Sequence, residues 1–196
     1  MKNLKLIVFV FSIVFATACK ETKKEAEEVV EETEMEVEEI VEEAPMEKKL
    51  SIKLSPKSDS NTEGTINFTE KDGVVSLVGT ITGLEEGEHA IHIHEKADCS
   101  SPDGKSTGGH WNPTGQPHGK WGDEAGYHKG DIGNFEVNAN GRGTVSISTD
   151  EWCIGCGDDT KDILGKAIIV HLGVDDFTSQ PSGAAGARVG CAGIIE

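Results

Sequence analysis

The sequence predicts an all-β fold, an eight-stranded antiparallel β-sandwich or flattened barrel with two long functional loops. Three observations support this fold class. The 196 residues, enough for one domain, include 24 glycines but only 5% aromatic residues, which disfavours a helical bundle. The glycines follow no three-residue period, so a collagen-like chain is excluded. From residue 50 onward, short runs alternate apolar and polar residues between turn residues.

Residues 1–18 are predicted to be a lipoprotein signal peptide. Two lysines precede an apolar run from Leu6 to Ala18, which is too short for a membrane-spanning helix of about 20 residues. The small residues before Cys19 resemble the lipobox of bacterial lipoproteins, in which this cysteine is lipidated. The alternative is an ordinary signal peptide cleaved near an incidental cysteine. We therefore expect an exported, membrane-anchored lipoprotein, periplasmic or at the cell surface, that meets the membrane only through its N-terminal lipid.

Residues 19–49 are predicted to be the lipidated cysteine followed by an acidic, disordered or helical spacer. Residues 20–49 contain 13 Glu and 5 Lys, too little apolar surface and too much charge for a packed core. A weak heptad-like stripe leaves a partner-binding helix as the alternative to a solvated tether. The formal charge of the whole chain is −17, which disfavours a nucleic-acid-binding face, so no nucleic-acid partner is expected.

Residues 50–196 are predicted to form the folded domain. Eight strand-like runs are expected, at residues 50–54, 64–70, 74–83, 88–95, 132–138, 142–148, 165–172 and 189–195. Residues 96–131 and 173–188 show almost no strand-like alternation and are rich in Gly, Pro, Ser and Asp. Long loops of this kind in a compact domain usually carry function, so we expect the functional residues there.

Six of the seven histidines lie at strand ends or in a long loop: His92, His94, His110, His118, His128 and His171. His92 and His94 are two residues apart on a predicted strand, so they face the same side. Asp131 follows His128 by three residues. Imidazoles with one carboxylate suit zinc and copper, and the sequence predicts a metal site. His89 alternates with the pair and is expected to make a structural hydrogen bond instead.

Six motifs follow one another along the predicted domain: GEHAIHIHEKADC, GGHWNP, PHG, YHKGDIGN, IIVHLGVDD and GARVGCAGII. Their order resembles the copper/zinc superoxide dismutase family over nearly all of residues 50–196. The resemblance implies a Greek-key arrangement of the strands. It also implies dismutation of superoxide to dioxygen and hydrogen peroxide by a copper centre bridged to zinc through a shared histidine.

The resemblance also implies a role for each site residue. Copper would be held by His92, His94, His110 and His171, and zinc by His110, His118, His128 and Asp131. His110 would be the shared ligand and would carry a proton during catalysis. Asp175 would tie a copper ligand to a zinc ligand and fix both rings.

Arg188 matches the arginine of the family that guides superoxide, the anionic substrate. Residues 172–187 contain no lysine and two aspartates, so the usual lysine assistance from this loop is missing. We therefore expect steering to depend on Arg188 and the metals, with Lys120 or Lys129 as further candidates.

The resemblance implies a disulfide between Cys99 and Cys191, which export would permit. Cys153 and Cys156, in WCIGCGDD, have no expected counterpart in the family. A local disulfide is the favoured interpretation, and an accessory metal site is the alternative. Thioredoxin-like dithiol chemistry is disfavoured because residues 157–159 are typical of a turn and not of a helix start.

Two function classes follow from these residues. The first is a superoxide dismutase with every ligand present. The second is a non-catalytic copper/zinc-binding lipoprotein that buffers or delivers metal. A weaker third interpretation is an adhesion module on an acidic stalk, because β-sandwiches serve many such roles. A monomer and an oligomer are both compatible with the resemblance.

Overall fold

The computed structural model describes residues 47–196. The predicted signal peptide, Cys19 and all but the last residues of the acidic spacer lie outside the described residues. No helix within the described part is long and apolar enough to span a bilayer.

Residues 47–196 form eight β-strands and one turn of 3-10 helix. The strands are β1 (Lys48–Pro56), β2 (Glu63–Lys71), β3 (Val74–Thr82), β4 (Gly87–His94), β5 (Gly133–Val137), β6 (Arg142–Thr149), β7 (Ala167–His171) and β8 (Arg188–Gly193), and the 3-10 turn is Lys105–Thr107. All eight predicted strands are present, with ends shifted by at most a few residues.

The strands close into one antiparallel barrel with the order β1-β2-β3-β6-β5-β4-β7-β8. The connections from β3 to β4 and from β6 to β7 pass over non-adjacent strands, as in a Greek key. β1 pairs with β2 from Lys48↔Glu70 to Leu54↔Gly64. The ring closes between β1 and β8 through only two pairs, Ser55↔Cys191 and the pair that follows it. The predicted all-β class is confirmed.

Alternating side chains of each strand fill the barrel. On β3, Val75, Leu77 and Ile81 are buried while the residues between them lie nearer the surface. Gly79 occupies the fourth inward position, and a Cβ there would lie 2.6 Å from the Ile66 side chain. A glycine is therefore needed where the core is already full.

Two long loops lie at the ends of β4, β7 and β8. The first, residues 95–132, folds back onto β4: the Trp111 amide donates to the Ile93 carbonyl at 2.8 Å, and the Ile93 amide donates to the Gly130 carbonyl at 2.9 Å. The second, residues 172–187, joins β7 to β8. Because backbone hydrogen bonds fix the first loop on the strand, its side chains have defined positions beside those of β4.

Candidate metal centre

The ends of two strands, β4 and β7, and the first loop bring the six histidines together. Every side chain of β4 from His89 to His94 is buried, and His92 and His94 lie on one face of the strand. His110 forms an isolated backbone bridge with His94, which places it directly opposite. His171 ends β7, and the register against β8 shifts between Val170 and His171, so that Val189 of β8 has no partner on β7.

The side chains form two buried groups that share one residue. The groups are His92, His94, His110, His171 and His110, His118, His128, Asp131, and in each group the candidate ligand atoms lie within 4.8 Å of one another. These are the two ligand sets that the sequence resemblance implies. His110 belongs to both groups, so a single imidazole lies between two potential ion positions.

Each imidazole of the first group has one nitrogen engaged and one free. The engaged atoms are His92 Nε2, 2.8 Å from Asp175, His94 Nδ1, 3.0 Å from the Gly108 carbonyl, His110 Nδ1, 2.8 Å from Asp131, and His171 Nδ1, 3.4 Å from the Gly186 carbonyl. An oxygen acceptor fixes the N–H on the engaged nitrogen and leaves a lone pair on the other. The other nitrogen of each of these rings is buried and has no hydrogen-bond partner: His92 Nδ1, His94 Nε2, His110 Nε2 and His171 Nε2. Four convergent buried lone pairs fit a metal ion that takes imidazole ligands.

Asp131 is the centre of the second group. Its carboxylate accepts hydrogen bonds from His110 Nδ1 at 2.8 Å and His128 Nδ1 at 3.1 Å, and it lies 3.0 Å from His118 Nδ1. Burial opposes ionisation, but these imidazole donors outweigh it and hold the pKa of Asp131 well below its usual range. Three Nδ1 atoms around one carboxylate fit a small divalent cation such as zinc.

Asp175 joins the two groups. Its carboxylate oxygens accept from His92 Nε2 at 2.8 Å and from His118 Nε2 at 2.9 Å, and the Phe177 amide donates to it at 2.7 Å. Burial is outweighed by these donors, so the pKa of Asp175 is lowered. Asp175 and Asp131 together also outweigh burial at His118 and raise the pKa of His118 to about 9. One buried carboxylate thus orients a ring from each ion position.

Burial favours the neutral form of three imidazoles in the first group, those of His94, His110 and His171. It is the largest cause that lowers the pKa of His94 and of His171 well below the ordinary value, and neighbouring histidines add to the effect. Burial also lowers the pKa of His110 to about 4, although its hydrogen bond to Asp131 opposes the shift. Neutral imidazoles can bind a metal near pH 7 without first losing a proton.

The first group opens to solvent through a cleft of about 300 Å³. His94, His110, His171 and Arg188 are among the residues that line it. The guanidinium is fixed because one of its nitrogens donates to the Gly104 carbonyl at 3.0 Å and to Thr107 Oγ1 at 3.1 Å. A fixed cation beside an open ion position can bind and orient a small anion.

Sequence reasoning missed Lys105, which lines the same cleft and forms an ion pair with Asp103 at 3.0 Å. Its proximity to Arg188 comes from the fold and has no sequence signal. The two suggested lysines, Lys120 and Lys129, do not line the cleft, and Lys129 pairs with Glu151.

The structure contains the long-range disulfide that the resemblance implies, Cys99–Cys191, with a sequence separation of 92. It ties the first loop to β8 three residues after Arg188. His89 has the structural role expected of it: its ring nitrogens lie 3.2 Å and 3.0 Å from the carbonyl oxygens of His171 and Glu85.

Cys153 and Cys156 form the local disulfide that the sequence favours. Neither cysteine lies in a helix, and a turn follows at residues 159–161. The absence of a helix at this pair agrees with the sequence argument against a thioredoxin-like motif.

Comparison with known proteins identifies the family. The copper/zinc superoxide dismutase family model matches residues 62–194. A SOD-like protein from Bacillus subtilis is 30% identical, with a TM-score of 0.66 and coverage of 74% of this chain and 97% of that chain. A double mutant of such a protein from the same organism, with a tyrosine and a proline each replaced by histidine, is 32% identical with the same TM-score and coverage. Because the family match spans more than half of the sequence, the chain belongs to the copper/zinc superoxide dismutase family.

Proposed function

We propose that the protein dismutates superoxide to dioxygen and hydrogen peroxide at a copper ion bridged to zinc through His110. One observation carries this proposal: four buried imidazole nitrogens without partners converge on one point, and three of their rings line an open cleft together with Arg188. A purely structural ion would be enclosed on every side, whereas a reactive ion needs an open position.

The two groups of ligands would hold different ions. The first group, His92, His94, His110 and His171, would hold copper, and the second group, His110, His118, His128 and Asp131, would hold zinc. Copper bound there supplies reversible one-electron exchange, and zinc supplies fixed charge without redox chemistry. Asp175 keeps the rings of His92 and His118 in place.

Two residues act on the substrate. Arg188 attracts superoxide into the cleft and orients it, because its guanidinium is held by the Gly104 carbonyl and Thr107. His110 presents Nε2 to the first group and Nδ1 to Asp131. It can therefore hold a proton at Nε2 and donate it to the peroxide product inside the cleft, where burial disfavours the charged ring.

The test is the decay of superoxide, followed by stopped-flow absorbance with the full-length protein loaded with copper and zinc. We expect decay much faster than the spontaneous reaction when copper is bound, and only the spontaneous rate with zinc alone. His94→Gln should lose copper and activity together. His89→Gln is the matched control, because His89 is a buried histidine of the same strand outside both groups, and it should keep both. A fully metallated protein that leaves superoxide decay unchanged would refute the enzyme.

The alternative function is non-catalytic copper/zinc binding, in metal buffering or delivery. The observation that favours it is that the similar solved proteins are described as SOD-like. The same assay distinguishes the two functions, since both metals are bound in each case and only the enzyme consumes superoxide.

We also propose that the domain is exported and anchored through a lipid on Cys19. The lipobox-like residues before Cys19 support this, and so do the two disulfides, which form in oxidising compartments. In a bacterial host, the wild-type protein should remain with the membrane fraction and Cys19→Ser should be released from it. Retention of the variant would contradict lipidation.

A further inference from the structure

The loop between β6 and β7 carries a cysteine pair for which the proposed superoxide chemistry has no use. Cys153 is buried and Cys156 is exposed, so a reagent in solution can reach one sulfur of the disulfide. The two sulfurs and a carboxylate oxygen of Asp162 lie within 4.8 Å of one another. The cluster thus contains two soft ligands and one hard ligand outside the histidine centre.

The loop does not depend on this disulfide for its shape. The Cys153 amide donates to the Lys161 carbonyl at 2.9 Å, and the Ile163 amide donates to the Cys153 carbonyl at 3.1 Å. The Ile154 amide donates to Glu70 of β2 at 2.9 Å. The sequence separation of the pair is 3, against 92 for Cys99–Cys191, so its effect on the unfolded chain is much smaller. The bond can therefore open while the loop stays folded.

Asp162 is already occupied by the backbone. Its Oδ1 accepts from the Gly155 amide at 2.9 Å and the Leu164 amide at 3.0 Å, and its Oδ2 accepts from the Gly157 amide at 3.0 Å. An ion that used this carboxylate would have to break bonds that hold the loop. The two sulfurs hold no such hydrogen bonds, so the cluster favours an ion whose coordination two thiolates alone can complete.

We propose that the reduced Cys153–Cys156 pair is a Cu(I) site, separate from the histidine centre. Cu(I) is soft and is stable with two thiolate ligands, whereas zinc takes four ligands and would need Asp162. The Cα atoms of the pair are 6.0 Å apart, so rotation about the Cα–Cβ bonds lets the released sulfurs lie on either side of one ion.

An external dithiol forms the site. Its thiolate attacks the exposed sulfur of Cys156, the Cys153–Cys156 bond breaks, and a mixed disulfide forms. The second thiol of the reductant then displaces Cys156. The reductant leaves as a disulfide after giving two electrons and two protons, and both cysteines become thiols. Cu(I) binds as these two thiols release their protons.

The test counts Cu(I) on the full-length protein whose histidine centre is already loaded with copper and zinc. The protein is reduced without oxygen by dithiothreitol, which is then removed, and Cu(I) is titrated against the chromophoric chelator bicinchoninate. We expect the reduced protein to take up one Cu(I) more than the oxidised protein, with thiolate-to-copper charge-transfer absorption in the ultraviolet. Equal uptake by the reduced and the oxidised protein would overturn the proposal.

Variants and a mapping experiment locate the extra ion. Cys153→Ser/Cys156→Ser should take up no extra Cu(I), and the matched control Cys99→Ser/Cys191→Ser should keep it. In the reduced wild-type protein, which needs no variant to fold, bound Cu(I) should protect Cys153 and Cys156 from alkylation by iodoacetamide, as read by mass spectrometry. Protection at the other pair alone, or zinc uptake in preference to Cu(I), would refute the assignment.

Discussion

Replacement of Gly183 by alanine tests how far the two ion positions depend on Asp175. Gly183 lies in the second long loop with φ of 64°, in the left-handed region that favours glycine. A Cβ at this position would overlap Asp175 Oδ1 and lie 2.7 Å from His118 Nε2. The carboxylate would have to leave the place where it joins the two ligand groups.

The size of the effect follows from the bonds that Asp175 Oδ1 accepts. Left-handed backbone costs an alanine about 1–2 kcal/mol. Displacement of the oxygen also leaves two donors, His118 Nε2 and the Phe177 amide, without an acceptor. At about 1–3 kcal/mol for each buried unsatisfied group, the additional loss is about 2–6 kcal/mol. Loss of such a supporting contact should also weaken zinc binding about 10–100-fold.

The assay pairs Gly183→Ala with Gly115→Ala. Gly115 has φ of 65° and nothing within 4 Å of its Cβ position, so it carries the same backbone cost without the overlap. The free energy of unfolding is measured by denaturant titration of the metal-free proteins, and zinc affinity by competition with a chelator. Equal stability and equal zinc affinity in the two variants would refute the role assigned to Asp175.

Arg188, His118 and the long-range disulfide each give a further prediction. Arg188→Ala should lower the rate of superoxide decay at low ionic strength about tenfold or more and flatten the salt dependence of that rate. The control Arg142→Ala, at an exposed strand position, should do neither. A salt dependence unchanged by Arg188→Ala contradicts steering. The metal-free protein should lose stability in denaturant titrations as the pH rises from 6.5 to about 9, because the folded-state pKa of His118 is raised to about 9; a constant midpoint contradicts this. Cys99→Ser/Cys191→Ser should lower the free energy of unfolding by about 4–5 kcal/mol, and a loss below about 2 kcal/mol contradicts the chain-entropy argument.

The strands were predictable because each side of the barrel wall has a different environment. On β3 the buried residues alternate with exposed ones, and the predicted range 74–83 differs from the observed Val74–Thr82 by one residue. β4 was harder, since all its side chains from His89 onward are buried and only the loop that covers it explains why. The closure of β1 on β8 has no sequence signal, because strand order depends on contacts distant in the chain.

The candidate ligands were predictable as residue types, and their grouping came from the family resemblance. The spacing of His92 and His94 places both on one strand face, but nothing local places His171 beside them. The lysines show most clearly what the sequence could not predict about the site. Lys129 was a candidate for steering, yet it pairs with Glu151, while Lys105 lies at the cleft because the first loop is tied to β8.

The register of β1 decides how the domain bears a mechanical load on its N-terminal side. A pull on the chain at Lys48 acts on one end of the β1–β2 ladder, and its pairs would open one after another, from Lys48↔Glu70 toward Leu54↔Gly64. The two pairs of β1 with β8 lie at the far end, beside Cys191. Traction would therefore separate β1 from β2 first. It would reach β8, which is joined to both long loops, last. A domain held from that side yields gradually, and its two histidine groups are the last part to lose their positions.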